Sequence, residues 1–179
     1  GIPGKNLVSI NGFPLIYWTI QNALNSKHID DVWVSSDSEE ILSYSRSIGA
    51  KTISRPDKLS GDTASSESAW IDAISQIEEK IGLIDIVVGM QATSPIRNKN
   101  DLDNAIIQYK TECLDSLFSG NILDDMYYWQ YSDNKLYSAN YDYKNRKRRQ
   151  DVREKFLENG SFYIFTPDGI KRNSNRLYG

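Results

Sequence analysis

The chain has 179 residues and a formal net charge of −3. That balance excludes a nucleic-acid coat on bulk electrostatics, and an anionic substrate would need a local cluster of positive groups. With 39% hydrophobic and 25% charged residues, the composition is that of a soluble globular protein, and a chain of this length buries roughly 70% of its unfolded surface without staples.

The lone Cys113 and lone His28 exclude an internal disulfide and a His/Cys zinc site. A single cysteine also fits a reducing compartment. His28 lies in Ser26-Lys27-His28-Ile29-Asp30 with no nucleophile motif nearby and reads as a solvated loop histidine. Catalysis by a protein nucleophile is therefore not expected, and substrate groups with a metal ion must carry any chemistry. No apolar run approaches the ~20 residues of a membrane span. No secretory signal is visible, so a cytoplasmic protein is expected. The sequence opens at Gly1 inside what reads as a loop, and both ends read as cut.

Pro14 suits a helix start, and Ile16, Ile20, Ala23 and Leu24 follow at helical spacing. Val32-Trp33-Val34 reads as a short buried strand running into polar Ser35-Ser36-Asp37. A helix is predicted over 39–48, with Ile41, Tyr44 and Ile48 on one face and Gly49 as its stop. Lys51-Thr52-Ile53 is a weak strand candidate, and Arg55 to Asp62 reads as a loop. Trp70, Ala73, Ile74, Ile77 and Ile81 mark a long helix. A β-branched strand over 84–88 follows and leads into Gln91-Ala92-Thr93-Ser94-Pro95-Ile96-Arg97. Leu102, Ala105, Ile106 and Tyr109 share a helix face, and 116–119 is the next strand.

This alternation predicts an α/β fold with a mostly parallel sheet flanked by helices. Ligands in such sheets bind beyond the carboxyl ends of the strands, which is where the polar segments after Val34 and Val88 fall. The pattern breaks after Asn121. Aromatic Met126-Tyr127-Tyr128-Trp129, then Tyr137, Tyr141 and Tyr143, precede the basic run Lys144-Asn145-Arg146-Lys147-Arg148-Arg149. Alternating apolar residues resume at Phe162, Ile164 and Phe165. The predicted organisation is an α/β domain from 1–121 and 159–179, with an arm of hairpins and loops over 122–158.

Several short segments have the chemistry of an anion site. Gly1-Ile2-Pro3-Gly4-Lys5-Asn6 is a glycine loop with a lysine, able to bring backbone N–H groups and a compact charge to a phosphate. It also suits an ordinary surface turn, and it is not a Walker A motif. Arg55-Pro56 could aim a guanidinium fork at a base edge or phosphate. Ser65 or Ser66 could instead simply cap the helix that follows. Gln91–Arg97 is either a binding loop or a polar connection with Pro95 ending the strand. Arg149-Gln150, followed by Asn159-Gly160, suits a carboxylate and hydroxyls.

In their order, Gly-Ile-Pro-Gly-Lys-Asn, Val-Ser-Ser-Asp, Arg-Pro, Leu-Ser-x-Asp-x-Ala-Ser-Ser, Gln-Ala-Thr-Ser-Pro-Ile-Arg, Arg-Gln and Glu-Asn-Gly-Ser-Phe-Tyr-Ile-Phe closely resemble the acylneuraminate cytidylyltransferases. The resemblance runs from Gly1 to about Phe165, with 135–145 poorly matched. It implies a Rossmann-like sheet and transfer of CMP from CTP to the anomeric hydroxyl of a nonulosonic acid, N-acetylneuraminate first, with Mg²⁺ as cofactor.

By the same resemblance Gly4, Lys5 and Asn6 cradle the triphosphate, with Lys5 and Gln91 closest to the chemistry. Arg55 and Ser66 read the nucleoside side, and Gln91 stands between nucleotide and sugar acid. Arg149, Gln150, Asn159 and Tyr163 fall in the sugar-acid pocket. The resemblance also implies a homodimer exchanging the 122–158 arm. The sequence departs from the family in lacking a strand and an Arg-x-x-Ser-Lys segment before Gly1 and an Ile-Asp-x-Asp-like metal motif, so its metal ligands are unassigned. Ala92 stands where many sialic-acid enzymes have proline. A legionaminic or pseudaminic substrate, GMP transfer, and a noncatalytic protein on the same fold remain as alternatives.

Overall fold

The structure is a computed structural model that describes all residues except 1, 3, 62, 63 and 124–126 and the side chain of Arg149. Gly1 and Pro3 of the glycine loop, Asp62 and Thr63 of the serine-rich loop, and Met126 therefore lie outside the described residues. The chain divides into two compact units, Gly1–Ser119 with Gly160–Gly179, and Gly120–Asn159.

The first unit begins with a 3-10 turn, Lys5–Leu7, and a two-stranded hairpin of β1 (Ser9–Ile10) and β2 (Phe13–Pro14). Asn11 and Gly12 turn the hairpin with φ of 53° and 89°. An Asn-Gly pair takes this primed-turn geometry at little steric cost, a signal that sequence reasoning passed over. Helix α1 (Leu15–Leu24) buries Leu15, Ile16, Thr19, Ile20 and Ala23. Strands β3 (Trp33–Ser36) and β4 (Lys51–Ser54) pair in parallel, Trp33 opposite Lys51, through helix α2 (Glu39–Ser47). Ser38 caps α2 by accepting from the Ile41 amide, and Gly49 ends it at φ 102°. Ile16, Ile20 and Ala50 form the buried centre of this half, with Val32, Val34, Ile41, Tyr44 and Ile48 packed around them.

Helix α3 (Ser66–Ile81) leads to β5 (Val87–Met90), α4 (Asp101–Thr111) and β6 (Leu117–Ile122). In the second unit β7 (Trp129–Ser132) and β8 (Lys135–Ser138) form a hairpin turned by Asp133 and Asn134, both at positive φ. Tyr127, Trp129, Tyr141 and Tyr143 cluster there, with the Arg146 guanidinium 4.4 Å from the Tyr127 ring centre. The long strand β9 (Phe156–Phe165) returns to the first unit and lies between β5 and β6; helix α5 (Pro167–Asn173) follows. Along β9 the side chains alternate faces. Phe162 and Ile164 pack on Leu102, Ile106 and Tyr109 of α4. Tyr163 and Phe165 pack on Ile74 of α3 and Ile170 of α5. Helices thus cover both faces, and the fold is mixed α/β.

The mostly parallel expectation needs correction. The β3–β4 pair is parallel, but β9 runs antiparallel to β5, with Val87 opposite Phe165 and Met90 opposite Phe162. β9 re-enters from the hairpin unit rather than through a helical crossover, so nothing obliges it to run with β5. The predicted strand over 84–88 is also displaced toward Met90, because the β9 ladder starts at Val87; Ile84 and Ile86 pack half-buried ahead of it. Among the described residues, β3–β4 and β5–β9–β6 are separate sheets.

Two side-chain arrangements fix α3 to β5 and β9. A Cβ on Gly89 would stand 2.9 Å from Cζ2 of Trp70 and 3.1 Å from Cε1 of Phe165, so the glycine is what leaves room for the indole against β5. Arg176 stacks over Trp70 and Tyr163, at 4.6 and 4.7 Å from their ring centres, and its Nε donates to Glu67 Oε1 at 2.7 Å. That hydrogen bond holds the Glu67 carboxyl below its ordinary value of 4.5.

Gly89→Ala is expected to destabilise the protein by ~1–3 kcal/mol through overpacking. Denaturant titration followed by tryptophan fluorescence measures this, and an unchanged midpoint would contradict the wedge. A carboxyl depressed by its partner contributes stability above its unfolded value and loses it as pH falls through the folded one. Glu67→Gln should therefore cost ~1 kcal/mol at pH 7 for this partly exposed pair. The deficit should shrink below pH 4.5 in melts run across pH, and a deficit independent of pH would exclude the ion pair as its source.

Candidate active site

A groove of about 750 Å³ separates β3 from β5. Its walls are apolar, with Ile16, Ile20, Val34, Trp70 and Val88 among the lining residues. Ser35 from β3, Arg55 after β4, and Gln91 and Thr93 after β5 line it at the carboxyl ends of the strands, while His28, Asp30 and Asp31 ahead of β3, Asp85 ahead of β5 and Lys110 of α4 line it elsewhere. Lys5, Asn6 and Ser66 line the same groove. One concavity thus gathers Lys5, Asn6, Arg55, Ser66 and Gln91, which lie far apart in sequence.

Each is held by a local device. Gly4 precedes the 3-10 turn at φ 62°, in the left-handed region that glycine enters without strain, and this leaves Lys5 exposed with Asn6 half-buried behind it. The Arg55 amide donates to Ser36 O at 2.9 Å, extending the β3–β4 ladder by one bond. Its guanidinium is fastened to the end of β3, Nε donating to Ser35 Oγ at 3.3 Å and Nη2 to Ser35 O at 2.5 Å. Ser65 caps α3, its Oγ accepting from the Ser68 amide at 3.1 Å. The choice between the two serines is thereby resolved: Ser65 is the cap, and Ser66, first residue of the helix, faces the groove.

Gln91 is the most closely specified. Its amide donates to Ser161 O at 3.3 Å, and its carbonyl accepts from the Ser94 amide at 3.3 Å and from Arg97 Nη2 at 3.1 Å. Its side-chain oxygen lies 2.9 Å from where a Cβ on Gly160 would stand, and Gly160 has φ 66°. Arg97 is the residue that sequence reasoning passed over, taking it only as the end of the loop. Its Nη1 donates to Thr19 Oγ1 at 3.0 Å and its Nη2 also to Ser161 O at 2.7 Å. Burial pulls its pKa down to about 10 against the opposing pull of Asp101. A lone arginine among the neutral residues of Gln91–Arg97 was the available signal.

The predicted sugar-acid residues are distributed differently. Tyr163 is 2% exposed, in the core between Trp70 and Arg176, so it supports the groove wall from behind. Gln150 and Asn159 belong to the second unit, where Gln150 is exposed in a 3-10 turn and Asn159 Nδ2 donates to Asn121 Oδ1 at 3.1 Å. Arg149 begins that turn, and its side chain lies outside the described residues. His28 is exposed, in keeping with a loop histidine. Among the described residues no cluster of three or more His, Cys, Asp or Glu could hold a metal ion, and no helix is long and apolar enough to cross a membrane.

The family model described as cytidylyltransferase matches residues 1–165. The chain belongs to the cytidylyltransferase family. It is 34% identical over 176 residues to an N-acylneuraminate cytidylyltransferase of Oncorhynchus mykiss, covering 96% of this chain and 40% of that protein. It is 35% identical over 170 residues to a pseudaminic acid cytidylyltransferase of Campylobacter jejuni, covering 92% of this chain and 72% of that one. The chain therefore spans well under half the length of the fish relative. Among solved structures, a CMP:2-keto-3-deoxy-manno-octonic acid synthetase complexed with CTP superposes with a TM-score of 0.71 at 18% identity, over 97% of this chain and 71% of that one. At that identity the likeness establishes the cytidylyltransferase fold.

The two serines differ in a measurable way. Ser65→Ala should cost ~1 kcal/mol of stability through the lost cap, whereas Ser66→Ala should leave the thermal midpoint nearly unchanged. A larger loss in Ser66→Ala would mean that Ser66 holds the helix end.

Proposed function

We propose that the protein transfers CMP from CTP to the anomeric hydroxyl of a nonulosonic acid of the N-acylneuraminate class, releasing pyrophosphate. The observation that carries this reading is the gathering of Lys5, Asn6, Arg55, Ser66 and Gln91 around one groove at the strand ends. Family membership and the two named relatives support it.

In the reaction the hydroxyl oxygen bonds to the α-phosphorus of CTP, the bond to the bridging oxygen breaks, and the hydroxyl proton leaves to solvent or a base. Negative charge grows on the phosphate oxygens, and donors aimed at that charge lower the barrier. Lys5 and the amides that follow Gly4 supply such donors. Arg55 and Ser66 hold the nucleoside, and Gln91 bridges toward the acid. In-line placement of the hydroxyl supplies much of the remaining acceleration. Mg²⁺ is proposed as the cofactor, and when bound it would neutralise triphosphate charge. The described residues offer no cluster to hold it, so no step is assigned to it.

We further propose that Gly120–Asn159 is the arm of a homodimer, carrying Arg149 and Gln150 toward a sugar acid, and that the enzyme works in the cytoplasm. The exposure of Tyr128, Trp129, Tyr131 and Leu136 supports an arm with a partner surface. A pseudaminate-type acid is the second reading, favoured by the relative of which this chain covers 72%.

Pyrophosphate release by the full-length protein tests the proposal, with Mg²⁺, CTP or GTP, and N-acetylneuraminic, legionaminic and pseudaminic acids in turn. Release requiring both CTP and one acid is expected. Faster release from GTP would replace CMP transfer by GMP transfer. Silence of folded, full-length protein with every pair would leave a noncatalytic member of the family.

A further inference from the structure

We propose that Arg97 and Gly160 form a positioning device for Gln91, and that Arg97 thereby governs the affinity of the acid subsite without itself touching the acid. The proposal rests on the functional reading above, in which Gln91 stands between nucleotide and acid.

Arg97 joins three elements at one point: α1 through Thr19 Oγ1, the turn after β5 through Gln91 O, and β9 through Ser161 O. The two carbonyls it grips with Nη2 belong to the residues already paired by the bond from Gln91 N to Ser161 O. The guanidinium therefore clamps the backbone of Gln91 to β9 from below. Gly160, one residue before Ser161, bounds the Gln91 side chain from the other direction. Any side chain at 160 would begin 2.9 Å from Gln91 Oε1 and 3.8 Å from Ser94 Oγ. Gln91 is thus fixed at its carbonyl and confined at its amide, so the direction of the amide is set by two residues outside the groove lining.

The chemistry of the clamp is unusual for a purely structural arginine. All its described hydrogen-bond acceptors are neutral, its Nε is buried with no hydrogen-bond partner, and no carboxylate among the described residues lies within ion-pair distance. Burying a guanidinium against neutral oxygens is costly, and a hydrophobic filler would stabilise at least as well. What a neutral filler could not supply is a rigid planar group whose Nη2 holds both carbonyls while Nη1 reaches Thr19 on α1. Lysine places its three donors on one nitrogen at the end of a flexible stem, and so reproduces the charge without the fixed spread between Thr19 and the two carbonyls.

The test is steady-state kinetics of full-length Arg97→Ala, Arg97→Lys and Gly160→Ala with CTP and the acid that wild type prefers, alongside circular dichroism and thermal melts. Arg97→Ala is expected to raise KM for the acid at least tenfold while KM for CTP moves less than about threefold. Tens of millimolar guanidinium should lower the KM for the acid again without raising the melting temperature, and this separates a positioning role from a structural one, because guanidinium that merely refilled a structural cavity would raise the melting temperature too. Arg97→Lys should stay closer to Arg97→Ala than to wild type. Gly160→Ala meets the end of a flexible side chain but puts alanine at φ 66°, so it should fold with a lowered melting temperature and raise the KM for the acid while leaving that for CTP nearly unchanged. Unaltered constants in folded Arg97→Ala would overturn the proposal. So would a parallel loss in every constant that tracks the fall in melting temperature and that guanidinium does not rescue. Inactive wild type, by contrast, sinks the functional reading itself.

Discussion

The pairing of β9 with β5 is the constraint on which the rest of the main unit depends. It sets the register in which Phe162 and Ile164 meet α4 while Tyr163 and Phe165 meet α3 and α5. A slip of one residue would exchange those faces, carrying Phe162 from one core to the other. The same register places Ser161 and Gly160 immediately beyond Met90, where they meet Gln91. The core and the site are thus consequences of one ladder.

Much of this was legible in the sequence, and the exceptions have physical causes. Helices α1, α2, α3 and α4 emerged because each carries an apolar stripe at helical spacing and lies against a strand. The segments singled out for an anion site at Lys5, Arg55, Ser66 and Gln91 come together around one groove, because each lies in a loop next to a strand or helix end of the main unit. The direction of β9 did not emerge, since side-chain alternation is the same for parallel and antiparallel strands. Neither did α5, whose Pro167–Asn173 span is too short to show a period. Arg97 escaped for a different reason: its partners are backbone carbonyls of Gln91 and Ser161, and backbone acceptors leave no mark in the sequence. Tyr163 was assigned to a pocket by motif, while its place on the odd face of β9 puts it in the core.

The site residues come from two parts of the main unit. Lys5, Asn6 and Arg55 belong to the half built on α1, β3 and β4, and Ser66 and Gln91 to the half built on α3, β5 and β9. The two sheets share no ladder among the described residues, and several side-chain contacts join the elements that carry the two sets of site residues. Ala92 packs into the cluster of Ile16, Ile20 and Ala50. Ser26 Oγ donates to Asp103 Oδ1 at 2.5 Å, and Asp103 also accepts from the Lys27 amide at 3.0 Å. Arg97 reaches Thr19 on α1. Of these, the Arg97 tie alone also holds the backbone of a residue lining the groove. Arg97 thus joins α1, the turn after β5 and β9 at one point, beside the residue whose backbone it holds.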